Sequence, residues 1–143
     1  MAVVHKTVLI GYSAQQMFNL VDRVEDYPEF LPWCGGIEVS ERSENTLTAK
    51  LKINYHGLKQ SFSTQNTNEP PNRMTMRLVE GPFKHFEGRW HFKELRPDAC
   101  KIEFDMEYEF SNRLLEGVIG PVFSMIANSF VDSFCKRAEQ IYG

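Results

Sequence analysis

From Leu114 to Ile141 apolar residues recur at helical spacing over more than two dozen positions, and no other stretch restricts the fold as much. Leu114, Val118, Val122, Ile126, Phe130, Phe134 and Ala138 follow one another at i+4, flanked by Leu115, Ile119, Phe123, Ala127, Val131 and Cys135. The opposite side carries Glu116, Ser124, Asn128, Asp132, Lys136 and Gln140, so the spacing predicts one long amphipathic helix. At about 1.5 Å per residue it is on the order of 40 Å long. Only an extended surface built by the rest of the chain can cover such a stripe. Gly117, Gly120 and Pro121 predict a kink or a slightly separate first segment, with Ser111 or Asn112 as the cap.

The preceding residues supply that surface. Between Ile37 and Phe110 the period changes to two: Leu47, Ala49, Leu51, Ile53 and Tyr55 alternate with polar residues, as do Met74, Met76 and Leu78, and Ile102, Phe104, Met106, Tyr108 and Phe110. Turn signals at Glu44-Asn45, His56-Gly57, Asn68 to Asn72, Gly81-Pro82 and Arg96-Pro97-Asp98 are short, which predicts an antiparallel meander of about six strands. Val3 to Ile10 adds a first strand. Ser13 and Gln16 form a capping box for a short helix bearing Met17, Leu20, Val21 and Val24, and Asp26 with Glu29 would cap a further turn starting near Pro28. The expected class is α+β, a curved sheet of about seven strands wrapped on the C-terminal helix, with two short helices after the first strand. One domain over residues 1–143 is expected, with room for a cavity where the curled sheet parts from the helix.

Composition closes off several classes. A net charge of −3 gives no basic surface for DNA or for non-specific nucleic-acid binding. Cys34, Cys100 and Cys135 are odd in number and form no Cys-x-x-Cys pair, so they read as free thiols in a reducing compartment. No apolar run approaches a membrane span and the N-terminus has no signal-like apolar core. A cytoplasmic protein with at most transient membrane contact is expected.

Tyr12-Ser13-Ala14, Tyr27-Pro28-Glu29-Phe30-Leu31-Pro32-Trp33-Cys34, Gly81-Pro82-Phe83-Lys84 and Phe110-Ser111-Asn112 stand in that order along the chain. In these motifs the sequence resembles the bacterial RatA proteins and the mitochondrial coenzyme Q-binding START-like proteins, from near residue 5 to the end. The resemblance implies a helix-grip fold of the START and Bet v 1 type. It also implies a hydrophobic ligand, ubiquinone in the mitochondrial branch, in support of respiration. In the bacterial branch it implies association with the large ribosomal subunit that blocks subunit joining. Family members share no catalytic residue set, so no catalytic residue and no obligatory cofactor are expected, with ubiquinone as the candidate ligand.

Tyr27, Phe30, Leu31 and Trp33 are large apolar side chains in a piece broken by two prolines, and are read either as a gate at a cavity mouth or as a plug. Phe83, in a hairpin loop, is core or cavity rim. Trp90, Val122, Phe123, Ile126, Phe130 and Phe134 are core residues that double as cavity walls. Tyr55, Tyr108 and Trp90 are the candidate hydrogen-bond donors to a ligand head group. His56, His85 and His91 lack paired metal spacing, so no metal site is expected. Glu103, Asp105, Glu107 and Glu109 read as the wet face of one strand, paired across to Arg89, His91 and Lys93. Lys50 and Lys52, with Lys59 and Lys84 elsewhere in the sheet region, are the best available contacts for ribosomal RNA, set against an ordinary charged surface as the default reading. A cyclase-like enzyme ranks last, because the inward strand positions are apolar, with tyrosines as the main polar exceptions, where such chemistry needs placed acid or base groups.

Overall fold

The computed structural model describes every residue from Met1 to Gly143. Its seven strands are β1 (Ala2–Ile10), β2 (Cys34–Arg42), β3 (Thr46–Tyr55), β4 (Leu58–Glu69), β5 (Arg73–Glu80), β6 (Phe83–Arg96) and β7 (Ala99–Phe110). They form one antiparallel sheet in the order β1-β7-β6-β5-β4-β3-β2, in which the first strand closes against the last. Helix α1 (Ala14–Asp22), a 3-10 turn (Val24–Asp26) and a single helical turn α2 (Tyr27–Phe30) bridge β1 to β2. Helix α3 (Arg113–Tyr142) lies on the concave face. This is the expected helix-grip arrangement.

Local chemistry explains the joints. Ser13 Oγ accepts from Gln16 N at 3.1 Å while Gln16 Oε1 accepts from Ser13 N at 2.9 Å, the reciprocal capping box of α1. Asn112 caps α3 by accepting from Leu115 N. Asp26 makes no such bond, contrary to expectation; α2 follows directly on the 3-10 turn and closes through Leu31 N to Tyr27 O at 2.9 Å. The β3–β4 hairpin turns on His56 and Gly57 at φ 48° and 85°, the two left-handed positions that a two-residue turn requires. A Cβ on Gly57 would meet nothing within 4 Å. Gly57→Ala should therefore cost only its backbone strain, about 1–2 kcal/mol, read as a lower urea midpoint with an unchanged slope.

Helix α3 departs from the sequence reading in three ways. It is continuous through Gly117, Gly120 and Pro121, without a separate first segment. Its buried row is Ile119, Phe123, Ile126, Ala127, Phe130, Val131, Phe134 and Ala138, whereas Leu114 and Val118 are 76% and 57% exposed. The apolar stripe is longer than the surface that covers it. Third, α3 is long and apolar enough to cross a membrane by length and composition alone, which the sequence reading had denied. Here its apolar side is the lid of the sheet.

The outward face of β6 and β7 is a charge lattice. Arg89 stands opposite Asp105 and His91 opposite Glu103, as expected, while Lys93 faces Lys101. Arg89 reaches diagonally to Glu107 at 3.7 Å and along its own strand to Glu87 at 3.2 Å. His85, Glu87 and Glu107 bring one ligand atom each within 4.8 Å of one another, a grouping made by strand pairing and invisible to sequence spacing. Arg89 already bridges its two carboxylates, so ion pairing accounts for this cluster.

Candidate functional site

Between the sheet and α3 lies one apolar cavity. Sheet residues Ala49, Leu51, Phe62, Met76, Phe86 and Met106 form its floor; Phe123, Ile126, Ala127 and Phe130 of α3 form its roof; Val24, Tyr27 and Trp33 close one end. Thr64 and Asn66 are the polar members of the sheet wall. Its volume is only about 40 Å³, room for roughly three waters at 10–15 Å³ each. Ligand pockets run to roughly 300 Å³ or more. The roomier cavity expected from sheet curvature is filled by aromatic rings: Phe62, Phe83, Phe86, Tyr108 and Phe110 cluster around Phe123, and Trp90 and Phe104 pack on Phe130 at 5.8 Å each.

Part of this filling is soft. Gly88 on β6 faces inward opposite both Met76 and Met106, and the Met76 methyl occupies the space where a Cβ at 88 would stand. Two unbranched thioether side chains over a glycine can change rotamer at low cost. The cavity can enlarge there without moving backbone.

The end formed by 24–33 is a cover whose Val24, Tyr27, Leu31 and Trp33 are buried in the core, with further ties to α1 and α3. The Tyr27 hydroxyl donates to Val21 O at 2.5 Å, and its ring packs edge-on against Phe30, Phe130 and Phe134. Arg137 of α3 pairs with Glu29 at 3.4 Å and lies 5.0 Å from the centre of the Phe30 ring. Exposed ion pairs and cation–π contacts of this kind contribute about 0.5–1 kcal/mol each. A four-residue helix without a side-chain cap adds little of its own.

Five of the residues proposed from sequence line the cavity: Tyr27, Trp33, Phe123, Ile126 and Phe130. The others lie elsewhere. Leu31 is buried beneath the cover and Phe30 is half-buried on its outside. Phe83 is the first residue of β6, stacked on Phe110 at 5.0 Å, and is core rather than loop rim. Phe134 and Trp90 form the adjacent core, 5.5 Å apart. Val122 is half-buried on the flank of α3. Tyr55 stacks on His56 at the hairpin and Tyr108 turns towards Ser124, so neither donor faces the cavity. Trp90 Nε1 is buried without a partner but is also outside the lining.

Sequence reasoning missed the polar wall. The inward row of β4 runs Phe62, Thr64, Asn66 and Asn68, all under a tenth exposed. Thr64 Oγ1 donates to Asn66 Oδ1 at 3.3 Å, and the Asn66 amide nitrogen finds only Met74 Sδ at 3.7 Å. Asn68 donates to Asp22 at 3.0 Å while its own carbonyl oxygen has no partner. An under-satisfied buried amide costs about 1–3 kcal/mol.

The buried ionisable groups all favour their neutral forms. Burial, with the nearby Asp22, Cys34 and Glu25, pushes the Tyr27 hydroxyl far above its ordinary value of 10.0. Burial, with Cys135 and Glu94, pushes the Cys100 thiol from 9.0 up to about 11. A folded pKa above the unfolded one gives stability that is complete below the unfolded value and lost as pH rises. Stability should be flat to near pH 9, then fall as unfolded Cys100 ionises first and Tyr27 follows. Melting curves at about pH 7, 9 and 10.5 check this; an equal midpoint at the highest pH would contradict it.

Residues 10–135 match the family described as polyketide cyclase / dehydrase and lipid transport. The ribosome association toxin RatA of Pseudomonas aeruginosa is 41% identical over 98% of this chain and 97% of its own length. The mitochondrial coenzyme Q-binding protein COQ10 homolog B of Xenopus laevis is 27% identical over 94% of this chain and 57% of its own. The Zhui aromatase/cyclase of Streptomyces superposes with a TM-score of 0.82 over 99% of this chain and 96% of its own, at 15% identity, a likeness of fold alone. By this sequence match and by its helix-grip fold, the chain belongs to the polyketide cyclase/dehydrase and lipid transport family of START-like proteins, alongside the RatA proteins that it resembles along its whole length.

Proposed function

We propose that the chain is a non-enzymatic binder of a hydrophobic small molecule, of the ubiquinone or polyisoprenoid class, held between the sheet and α3 and serving respiration as a carrier in the cytoplasm. The observation that carries this reading is the cavity itself: an apolar space with soft methionine filling and one under-satisfied polar wall. Apolar area removed from water at about 25 cal/mol per Å² supplies the affinity. Because the closed cavity holds only a few waters, the ligand binds to an opened form, and the work of opening reduces the apparent affinity by the fraction of molecules that are open. Catalysis is disfavoured by the lining. Tyr27 is its one titratable side chain, and it is held neutral with its hydroxyl donated to Val21 O; no group there can take or give a proton near neutral pH.

Native mass spectrometry of protein purified without detergent, with organic extraction of whatever is released, tests the reading. A quinone or long-chain lipid at near one-to-one stoichiometry supports it. Protein that is empty and fails to take up a short-chain ubiquinone sinks it.

A second reading is association with the large ribosomal subunit. The name of the Pseudomonas relative favours it, and so does one surface feature: Lys50, Lys52 and Lys59 surround a depression of about 410 Å³ on the outward side of β3 and β4. Lys52 is tied to Glu38 at 2.9 Å, which leaves Lys50 and Lys59 as the freer charges. Cosedimentation with large subunits that is lost in Lys50→Glu/Lys59→Glu would establish this role; cosedimentation unaffected by the reversal would move the contact off this face.

A further inference from the structure

The Thr64–Asn66 pair is the only place where a side-chain donor without a strong acceptor reaches the cavity. Asn66 is 5% exposed and lines the cavity beside Phe62 and Met76. Its carbonyl oxygen is occupied by the Thr64 hydroxyl, and its two N–H donors have a single sulfur acceptor at 3.7 Å, a weak partner. Tyr27, the remaining polar group of the lining, has given its hydrogen to Val21 O. Tyr27 Oη and Thr64 Oγ1, having given their hydrogens away, keep only acceptor lone pairs, so Asn66 Nδ2 is the one side-chain donor in the lining without a strong partner, and no cation lines the cavity.

We infer that Asn66 Nδ2 is the recognition point for a carbonyl oxygen on the buried end of the ligand, with Thr64 fixing the carboxamide through its bond to Oδ1. The inference rests on the ligand-binding reading above and names the chemistry that it takes. A neutral ring carbonyl, as in a quinone or cyclic ketone, receives the missing hydrogen bond. A carboxylate or phosphate head would lie in the same place without a counter-charge, which burial penalises heavily. A plain hydrocarbon leaves the amide as it is now. The residues therefore select by head group, while the surrounding rings accept any apolar body.

The test compares two probes of similar length, decylubiquinone and decylbenzene, titrated into the parent protein and Asn66→Leu by native mass spectrometry. The parent should prefer the quinone, and Asn66→Leu should weaken quinone binding about ten-fold, one lost buried hydrogen bond, while leaving decylbenzene unchanged. The empty Asn66→Leu protein should melt no lower than the parent, because an under-satisfied amide has been replaced by a side chain of similar size. Equal weakening of both probes together with a lower melting temperature assigns Asn66 a structural role and overturns the inference, as does an unaltered preference. Should Asn66→Leu not fold, Thr64→Val carries the same ratio measurement, with a smaller loss expected. A parent protein that binds decylbenzene but shows no preference for the quinone overturns the inference and leaves the ligand-binding reading standing. One that binds neither probe overturns both.

Discussion

Phe134→Ala is expected to lower the unfolding free energy by about 3–5 kcal/mol, the range for a large ring removed from a packed interior. Phe134 is 0% exposed, and its ring lies within 5.0–5.5 Å of those of Tyr27, Phe30, Trp90 and Phe130. With Phe130, it ties α3 to both the cover and the deepest part of the sheet core. Neighbours fixed on three different elements cannot collapse into the space left behind, so the cavity term adds to the lost transfer energy. Urea unfolding measures the loss, and Phe134→Leu should recover more than half of it. A cost below about 1 kcal/mol would mean that α3 does not sit on the sheet as described. The same substitution loosens the cover, so its urea slope and its ligand uptake belong in one experiment.

Pro121→Ala should act in the opposite sense, raising stability by about 1–3 kcal/mol and the melting temperature by roughly 3–8 °C for a domain of this size. Pro121 is exposed within a helix that continues on both sides of it. Its nitrogen has no hydrogen to donate to the carbonyl four residues back, and its ring crowds that carbonyl. Alanine restores the bond and removes the crowding while changing no buried contact. An unchanged melting temperature would show that the turns before Pro121 are not helical in solution. Gly117 and Gly120 weaken the same turns, and Leu114 and Val118 there have no partner. This end of α3 is the natural place for local unfolding.

Wherever one residue face was consistently dry, the sequence was enough. Alternation in β3, β5 and β7 placed Leu47, Ile53, Met74, Ile102 and Phe104 inward, and all are buried. Ser13 and Gln16 marked the start of α1 because the capping box is a local bond. The row of α3 was legible as apolar but not as covered: burial of Leu114 or Val118 depends on where the sheet ends, which no periodicity records. β4 was legible from its flanking turns but not from its own pattern, for the opposite reason. Its inward residues include Thr64, Asn66 and Asn68, so a test for alternating hydrophobicity sees a polar stretch. The head-group donors expected from aromatic residues were misplaced by the same logic. Tyr55 and Tyr108 are on inward-facing rows, yet one sits at a hairpin and the other turns to α3. Cavity volume was the least legible quantity, since it depends on how rings interlock.

The closing of β1 against β7 carries a consequence for biogenesis. His5 pairs with Asp105 and Lys6 with Phe104, so the sheet cannot be completed until β7 has been made. The apolar helix that covers that sheet follows β7 in the chain, so it is synthesised only after every strand. At roughly 5–20 residues per second, the nascent chain spends several seconds with a concave hydrophobic surface and no lid. Chaperone capture during that interval, and rapid degradation of any product truncated before Arg113, follow from topology alone.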